Sequence, residues 1–461
     1  MTWGQKTIWK PIKWYGEAAN YFNIKLVVDV PGAPEPPGQE AVLGALRQLV
    51  ERHQALRTHY FDDDAAGPRQ QIAAAGTFTV RVAESPAESS RARADALAAE
   101  LGAAAFQHGC EWPARFALVT TDGRPRHLVL VVSHLAADGA GAQALVADLT
   151  VLLAAAPQLP AADGIWQPAD QVQRERSKRG LRRNSAAVAH WRKLLEQMPP
   201  TMFGFPPVPA AQPRFHRLRL DSRAAAAAAA RLAVNARISV PSAVLTATAL
   251  ALAAVSGQAT SVLQLIAGNR YDDQVRTLVA PMSQNGLLAV TYRCETITEA
   301  ARRTHQAARA GYFYGHYEPA DVDALCAEVA AQRGVSFDLT AYFNDLTALY
   351  GHPDGPPAEP PPEAEARRLL AGSVIVPDGS WPTQDSKFFL EAECGPRLCR
   401  LHLLADTAYL PLPVMSAVLR GIETILLEGA YADAPVAGIP SLTGLKPAGS
   451  RAADQEYWVT P

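Results

Sequence analysis

Apolar positions along the chain recur at two spacings. Val42, Leu43, Leu46, Leu49 and Val50 return every three or four residues and predict a helix that ends near His53. The run HLVLVV at 127–132 is continuous and rich in β-branched valine, which predicts a buried strand leading into Ser133 and His134. A helix is expected over 141–153, with Leu145, Val146 and Leu149 on its apolar face. Strand, tight polar turn and helix then place residues 133–139 at the end of a sheet, where a scaffold aims side chains into a crevice.

The second half alternates in the same way. Strands are expected over 215–220, 261–267, 287–292, 335–343, 387–393 and 399–404. Helices are expected over 222–233, where an alanine run favours that state, and over 240–255 and 413–427. A turn falls at Gly268-Asn269-Arg270. The charged stretch 167–197 reads as helical, and the proline-rich stretches 198–213 and 352–362 read as a connector and a solvated loop, because proline lacks a donor and fixes φ. The expected class is α+β in each half, with an N-terminal lobe at 1–175, a connector at 176–213 and a C-terminal lobe at 214–461.

Composition narrows the function. The 461 residues exceed one ordinary core, and 48% hydrophobic with 19% charged residues suits a chain that buries a large interior. A net charge of −2 gives no basic field for a nucleic acid backbone. Lys6, Lys10 and Lys13 stand in a start that lacks the apolar core of a signal peptide, so the expected location is the cytoplasm. The most apolar stretch, 243–255, is too short to cross a bilayer about 30 Å thick, and no membrane partner is expected. Cys394 and Cys399 form a C-x4-C pair with no second pair nearby, so no metal site is expected and all five cysteines are expected as reduced thiols.

The candidate chemistry lies in Ser133-His134-Leu135-Ala136-Ala137-Asp138-Gly139. A histidine is a neutral base near physiological pH, and Asp-Gly four residues on forms a turn. Read alone, the segment also fits a histidine satisfied in a strand-to-helix turn, an aspartate capping the next helix and a plain turn glycine.

The segment resembles the His-His-x-x-x-Asp-Gly signature of the condensation domains of nonribosomal peptide synthetases, in the chloramphenicol-acetyltransferase-like superfamily, with Ser133 in place of the first histidine. Other segments match in order. Gln5 and Trp9 resemble the family's opening Gln-x-x-x-Trp. Arg52-His53-Gln54-Ala55-Leu56-Arg57-Thr58 is similar to Arg-His-Glu-x-Leu-Arg-Thr, with Gln54 for the acid. His190-Trp191-Arg192 resembles the Tyr-Trp-x element. Gly268-Asn269-Arg270 and Val279-Ala280-Pro281-Met282 loosely resemble the Gly-Arg and Val-Gly-x-Phe-x-Asn-Thr elements, from which Met282-Ser283-Gln284-Asn285 departs.

The resemblance implies two chloramphenicol-acetyltransferase-like lobes in a V-shaped pseudo-dimer with a central tunnel. It implies a free-standing condensation enzyme with no bound cofactor, joining an acyl or aminoacyl thioester to a small amine or alcohol acceptor. The thioester would arrive on the phosphopantetheine of a carrier protein met in trans, or as a coenzyme A thioester. His134 is the implied base and Gly139 the implied donor to the oxyanion. Asp138 is implied to pair with Arg270 across the lobes, with Ser133 supporting the site and Asn344 binding substrate. His53 and Arg57 are expected to cap helix-end carbonyls. A non-catalytic recruitment module and a coenzyme A-dependent acyltransferase of the same fold are the alternatives.

Overall fold

The first part of the chain lays down α1 (Trp3–Tyr15), β1 (Asn23–Asp29), α2 (Gln39–Arg52), β2 (Thr58–Phe61), β3 (Arg69–Ile72), β4 (Val80–Glu84), α3 (Ser90–Gly102), β5 (Ala114–Thr121), β6 (Arg124–Ser133), α4 (Gly139–Leu152), α5 (Pro168–Arg176) and α6 (Lys178–Leu195). The computed structural model describes residues 1–32, 36–62, 67–154, 164–293, 295–350 and 359–448. Two compact units emerge: Met1–Asn184 with Gly268–Gln284, and Ser185–Ala267 with Asn285–Pro461. The first therefore runs past the expected boundary at 175 and takes in a segment of the C-terminal half.

In the first unit a four-stranded sheet has the order β1-β6-β5-β4, antiparallel except for the β4–β5 pair. The run at 127–132 is continuous because β6 is covered on both faces. Leu128, Leu130 and Val132 pack with Val42, Leu46 and Leu49 of α2 and Leu145 and Leu149 of α4. Val129 and Val131 point the other way, onto Ala94, Leu97 and Ala98 of α3. All five strand residues are fully buried, and each such burial contributes about 1.5–3 kcal/mol. The last rungs pair Ser133 with Asn23 of β1, and the His134 amide donates to the Phe22 carbonyl at 3.2 Å, so β6 delivers His134 from a fixed edge.

The segment 268–284 joins this unit through specific contacts. Val275, Leu278, Ala280 and Met282 form a small apolar cluster against Trp166, and Arg174 of α5 pairs with Asp272. Helix α1 lies directly on the same segment: a Cβ added at Gly4 would stand 2.2 Å from the Pro281 carbonyl oxygen. His53 and Arg57 do not cap their own helix end. His53 Nε2 lies 2.8 Å from Asp148 of α4, and Arg57 donates to the Ala73 carbonyl.

The second unit adds β7 (Phe215–Ser222), α7 (Arg223–Ala236), α8 (Val240–Ser256), β8 (Thr260–Ala267), β9 (Gln284–Thr291), α9 (Ile297–Phe313), α10 (Pro319–Arg333), β10 (Ala341–Asp345), β11 (Val374–Trp381), β12 (Phe388–Cys394), β13 (Cys399–Asp406) and α11 (Leu412–Tyr431). Its mixed seven-stranded sheet has the order β11-β7-β13-β12-β10-β8-β9. The alanine run is core: residues 224–229 of α7 are buried, and all but Ala227 share one cluster with α8 and α11. No single helix among the described residues is long and apolar enough to cross a membrane; α7 and α8 pass that test only as a pair bent by 102°. The stretch 198–213 forms no helix or strand beyond one bridge at Thr201, and anchors Met198, Met202 and Phe203 in the core. Of the second proline-rich stretch, 352–358 lies outside the described residues.

The cysteine expectation needs correction. Cys394 and Cys399 face each other across the β12–β13 hairpin and are joined as a disulfide, because the short turn between them brings the two side chains to the same rung. Cys110 and Cys326 are not disulfide-bonded, and Cys294 lies outside the described residues.

The backbone-on-backbone approach of α1 to Pro281 leaves no room for a side chain at Gly4. Gly4→Ala is expected to cost about 1–3 kcal/mol in urea unfolding; an unchanged midpoint would show that the two segments separate freely.

Candidate functional site

The turn that carries His134 is tied at three points, all in the first unit. Ser133 comes first. Its carbonyl accepts from the Ala136 amide at 2.8 Å, closing the turn, while its hydroxyl accepts from the Leu135 amide at 3.2 Å and lies 2.7 Å from His108 Nε2. Leu135 is the second point. Its carbonyl accepts from the Tyr60 hydroxyl at 3.0 Å and from Gln5 Nε2 at 3.4 Å, and Gln5 also closes a capping box with Thr2 at the start of α1.

Asp138 is the third point, and it takes both of the parts that the sequence left open. Its Oδ1 caps α4 by accepting from the Gly141 amide at 2.9 Å, and accepts from Arg270 Nη2 at 2.6 Å. Its Oδ2 accepts from the Met282 amide at 2.9 Å and from the Ser283 amide and hydroxyl at 3.3 and 3.2 Å. Burial alone would raise this carboxyl, but Arg270 and the amides of Met282 and Gly141 outweigh it and hold Asp138 below the ordinary carboxylate range. The expected pairing across the lobes is corrected by the fold: Arg270 belongs to the 268–284 segment, so the ion pair closes inside one unit. Arg270 also donates to the carbonyls of Val275, Leu278 and Ala280, and so winds that segment around its guanidinium.

His134 sits between these ties. Its ring meets Phe22 edge-on, with centroids 6.5 Å apart. Nδ1 is buried and makes no well-formed hydrogen bond. The residue as a whole is half-buried. Burial pushes the imidazole pKa down from 6.5, opposed by the Asp138 charge and by the residue's own backbone. The result is a ring that is neutral at physiological pH. Gly139 follows as the first residue of α4, where helix geometry leaves the backbone N–H without an intrahelical partner.

The structure thus brings Ser133, His134, Asp138, Gly139 and Arg270 together. Asn344 lies on β10 of the second unit, where its side chain bonds Glu391 of the neighbouring β12. Sequence reading missed the parts played by Tyr60, His108, Met282 and Ser283. Gln5 and Met282 did carry a signal, as members of matched or departing motifs, whereas His108 is 25 residues from Ser133 with no pattern to link them. Among the described residues, no group of three or more His, Cys, Asp or Glu side chains is arranged to hold a metal ion.

With this geometry in view, the Condensation domain family matches residues 5–281, which take in every residue of the clamped turn and Arg270. The chain belongs to the condensation domain family. As a class, condensation domains are amide- or ester-forming acyltransferases that act on carrier-protein-bound substrates. A polyketide synthase-nonribosomal peptide synthetase of Aspergillus clavatus is 26% identical over 200 residues, covering 43% of this chain and 5% of that protein. The chain thus spans about one-twentieth of the length of that curated relative. Among solved structures, the condensation domain of the Monacolin K polyketide synthase MokA superposes with a TM-score of 0.71 at 16% identity, covering 95% of this chain and 98% of that one. The starter condensation domain of rhizomide synthetase RzmA, a mutant in complex with C8-CoA and Leu-SNAC, gives 0.66 at 17% identity and covers 95% of both chains. The fold is accordingly that of two chloramphenicol-acetyltransferase-like lobes of the α+β class.

Removing one member of the buried pair strands the other. Asp138→Asn and Arg270→Met are each expected to lose about 3–5 kcal/mol in chemical unfolding, with the double variant losing clearly less than their sum. Strictly additive losses would show that the two residues act independently.

Proposed function

We propose that this condensation domain joins a carrier-bound acyl or aminoacyl thioester to an amine or hydroxyl acceptor, with His134 as the base. The observation that carries the reading is a neutral, half-buried imidazole held by a turn tied at three points.

The chemistry follows from those groups. The acceptor nitrogen or oxygen attacks the thioester carbonyl carbon while His134 Nε2 takes its proton. Charge gathers on the former carbonyl oxygen, and the Gly139 N–H at the head of α4 supplies a donor and the positive end of a helix dipole. Collapse of the intermediate breaks the carbon–sulfur bond, and the departing thiolate takes the proton back from His134. Amide or ester and free thiol result, with protons balanced and no cofactor consumed. Asp138 is fully committed to Arg270 and to backbone amides, so its part is to hold the turn rather than to move a proton.

A second reading has coenzyme A in place of the carrier as the thiol. The complex of the RzmA starter domain with C8-CoA favours it, since the arm and the thioester are chemically alike. Presenting the same acyl group on phosphopantetheinylated carrier and on free coenzyme A separates the two.

With a phosphopantetheinyl donor and an amine or alcohol panel, His134→Ala is expected to lower kcat/KM by about 10²–10⁴-fold. Because burial depresses the imidazole pKa, the neutral base persists as pH falls, and the wild-type acid limb is expected below 6.5. Full turnover by His134→Ala, measured by product mass spectrometry, would exclude His134 as the base.

A further inference from the structure

The family signature has a histidine where this chain has Ser133, and a serine side chain is too short to reach far for support. The structure fills that place from elsewhere in the fold. His108 lies in the segment between α3 and β5, and its Nε2 is 2.7 Å from the Ser133 hydroxyl. A hydroxyl has one proton and two lone pairs. One lone pair takes the Leu135 amide, so His108 engages what remains.

These bonds close on themselves. The Tyr60 amide donates to the His108 carbonyl at 2.9 Å; the His108 ring meets Ser133; Ser133 accepts from Leu135; and the Leu135 carbonyl accepts from the Tyr60 hydroxyl at 3.0 Å. His134 is the residue flanked by Ser133 and Leu135, so the cycle grips both of its peptide neighbours. The His108 ring is itself fixed edge-on against Trp9 and Tyr60, with centroids 6.1 Å away in each case, and is tilted against Phe106 at 6.0 Å.

We propose that His108 is a positioning residue for His134: through Ser133 it supplies the support that the first histidine of the signature gives in the family. It touches neither substrate nor reacting atoms. Burial pushes its pKa down to about 4, so the ring stays neutral and the cycle keeps one protonation state across the working range. The inference rests on His134 being the base, and it adds that His108 and Ser133 act as one unit.

The test uses the full chain and two readouts. His108→Phe keeps the ring packing and removes the bond; His108→Gln keeps a side-chain donor and acceptor; Ser133→Ala removes the hydroxyl. In histidine-labelled protein, the His134 imidazole resonance, assigned by its loss in His134→Ala, is expected to move in the same sense in His108→Phe and Ser133→Ala. It should stay near wild type in His108→Gln. This readout needs no turnover, so it stands even if the proposed reaction fails. In the assay, kcat is expected to fall about tenfold in each of the first two variants with KM nearly constant, and no further in the double variant. A His134 resonance unmoved by His108→Phe, or losses that multiply in the double variant, would overturn the proposal. Should His108→Phe fail to fold, the resonance in Ser133→Ala decides alone: unchanged, it sinks the idea.

Discussion

An ionised carboxylate inside a protein is tolerated only when nearly every lone pair finds a donor, and the first unit is arranged around meeting that demand at Asp138. Its donors come from Gly141 at the start of α4, from Arg270, and from Met282 and Ser283. No stretch of sequence near Asp138 holds them all. The segment 268–284 must therefore leave the half of the chain to which it is covalently closest and pack with the N-terminal unit. The ion pair thereby fixes the helix start, the turn before it and the histidine on that turn.

The second consequence concerns the base. A lone imidazole in water is half protonated near 6.5 and free to rotate. Here β6 ends in a sheet covered on both faces, the turn is tied through Ser133, Leu135 and Asp138, and burial disfavours the charged ring. Rigidity and neutrality have the same origin, the packing around the strand end. The chemistry proposed for the site asks only for those two properties and an accessible nitrogen.

Much of this was legible in the chain, and the exceptions are physical. The strand over 127–132, the helix after Gly139, the strands at 215–222 and 388–394 and the C-terminal helix announce themselves by local periodicity. His134, Asp138 and Arg270 were visible as a motif and its partner. The side of the boundary to which Arg270 belongs was not, because that depends on which unit offers the better cluster for Val275, Leu278 and Ala280. The stretch 167–197 read as one helical stretch but is two helices that meet at Ser177, and the Cys394–Cys399 bond depends on a hairpin register that spacing alone does not give. His108 and Tyr60 were invisible for a similar reason: a hydrogen-bonded cycle joining residues 60, 108, 133 and 135 leaves no trace in any one window of sequence.

The proposed chemistry requires that this clamped turn present the neutral His134 ring to the reacting centre. A crystal structure of the chain with a tetrahedral phosphonate analogue of the thioester adduct tests it most directly. The expected result places His134 Nε2 roughly 2.6–3.2 Å from the analogue's acceptor atom, with the Asp138–Arg270 pair intact. An analogue bound with that nitrogen turned away, or seated away from the turn altogether, would contradict it.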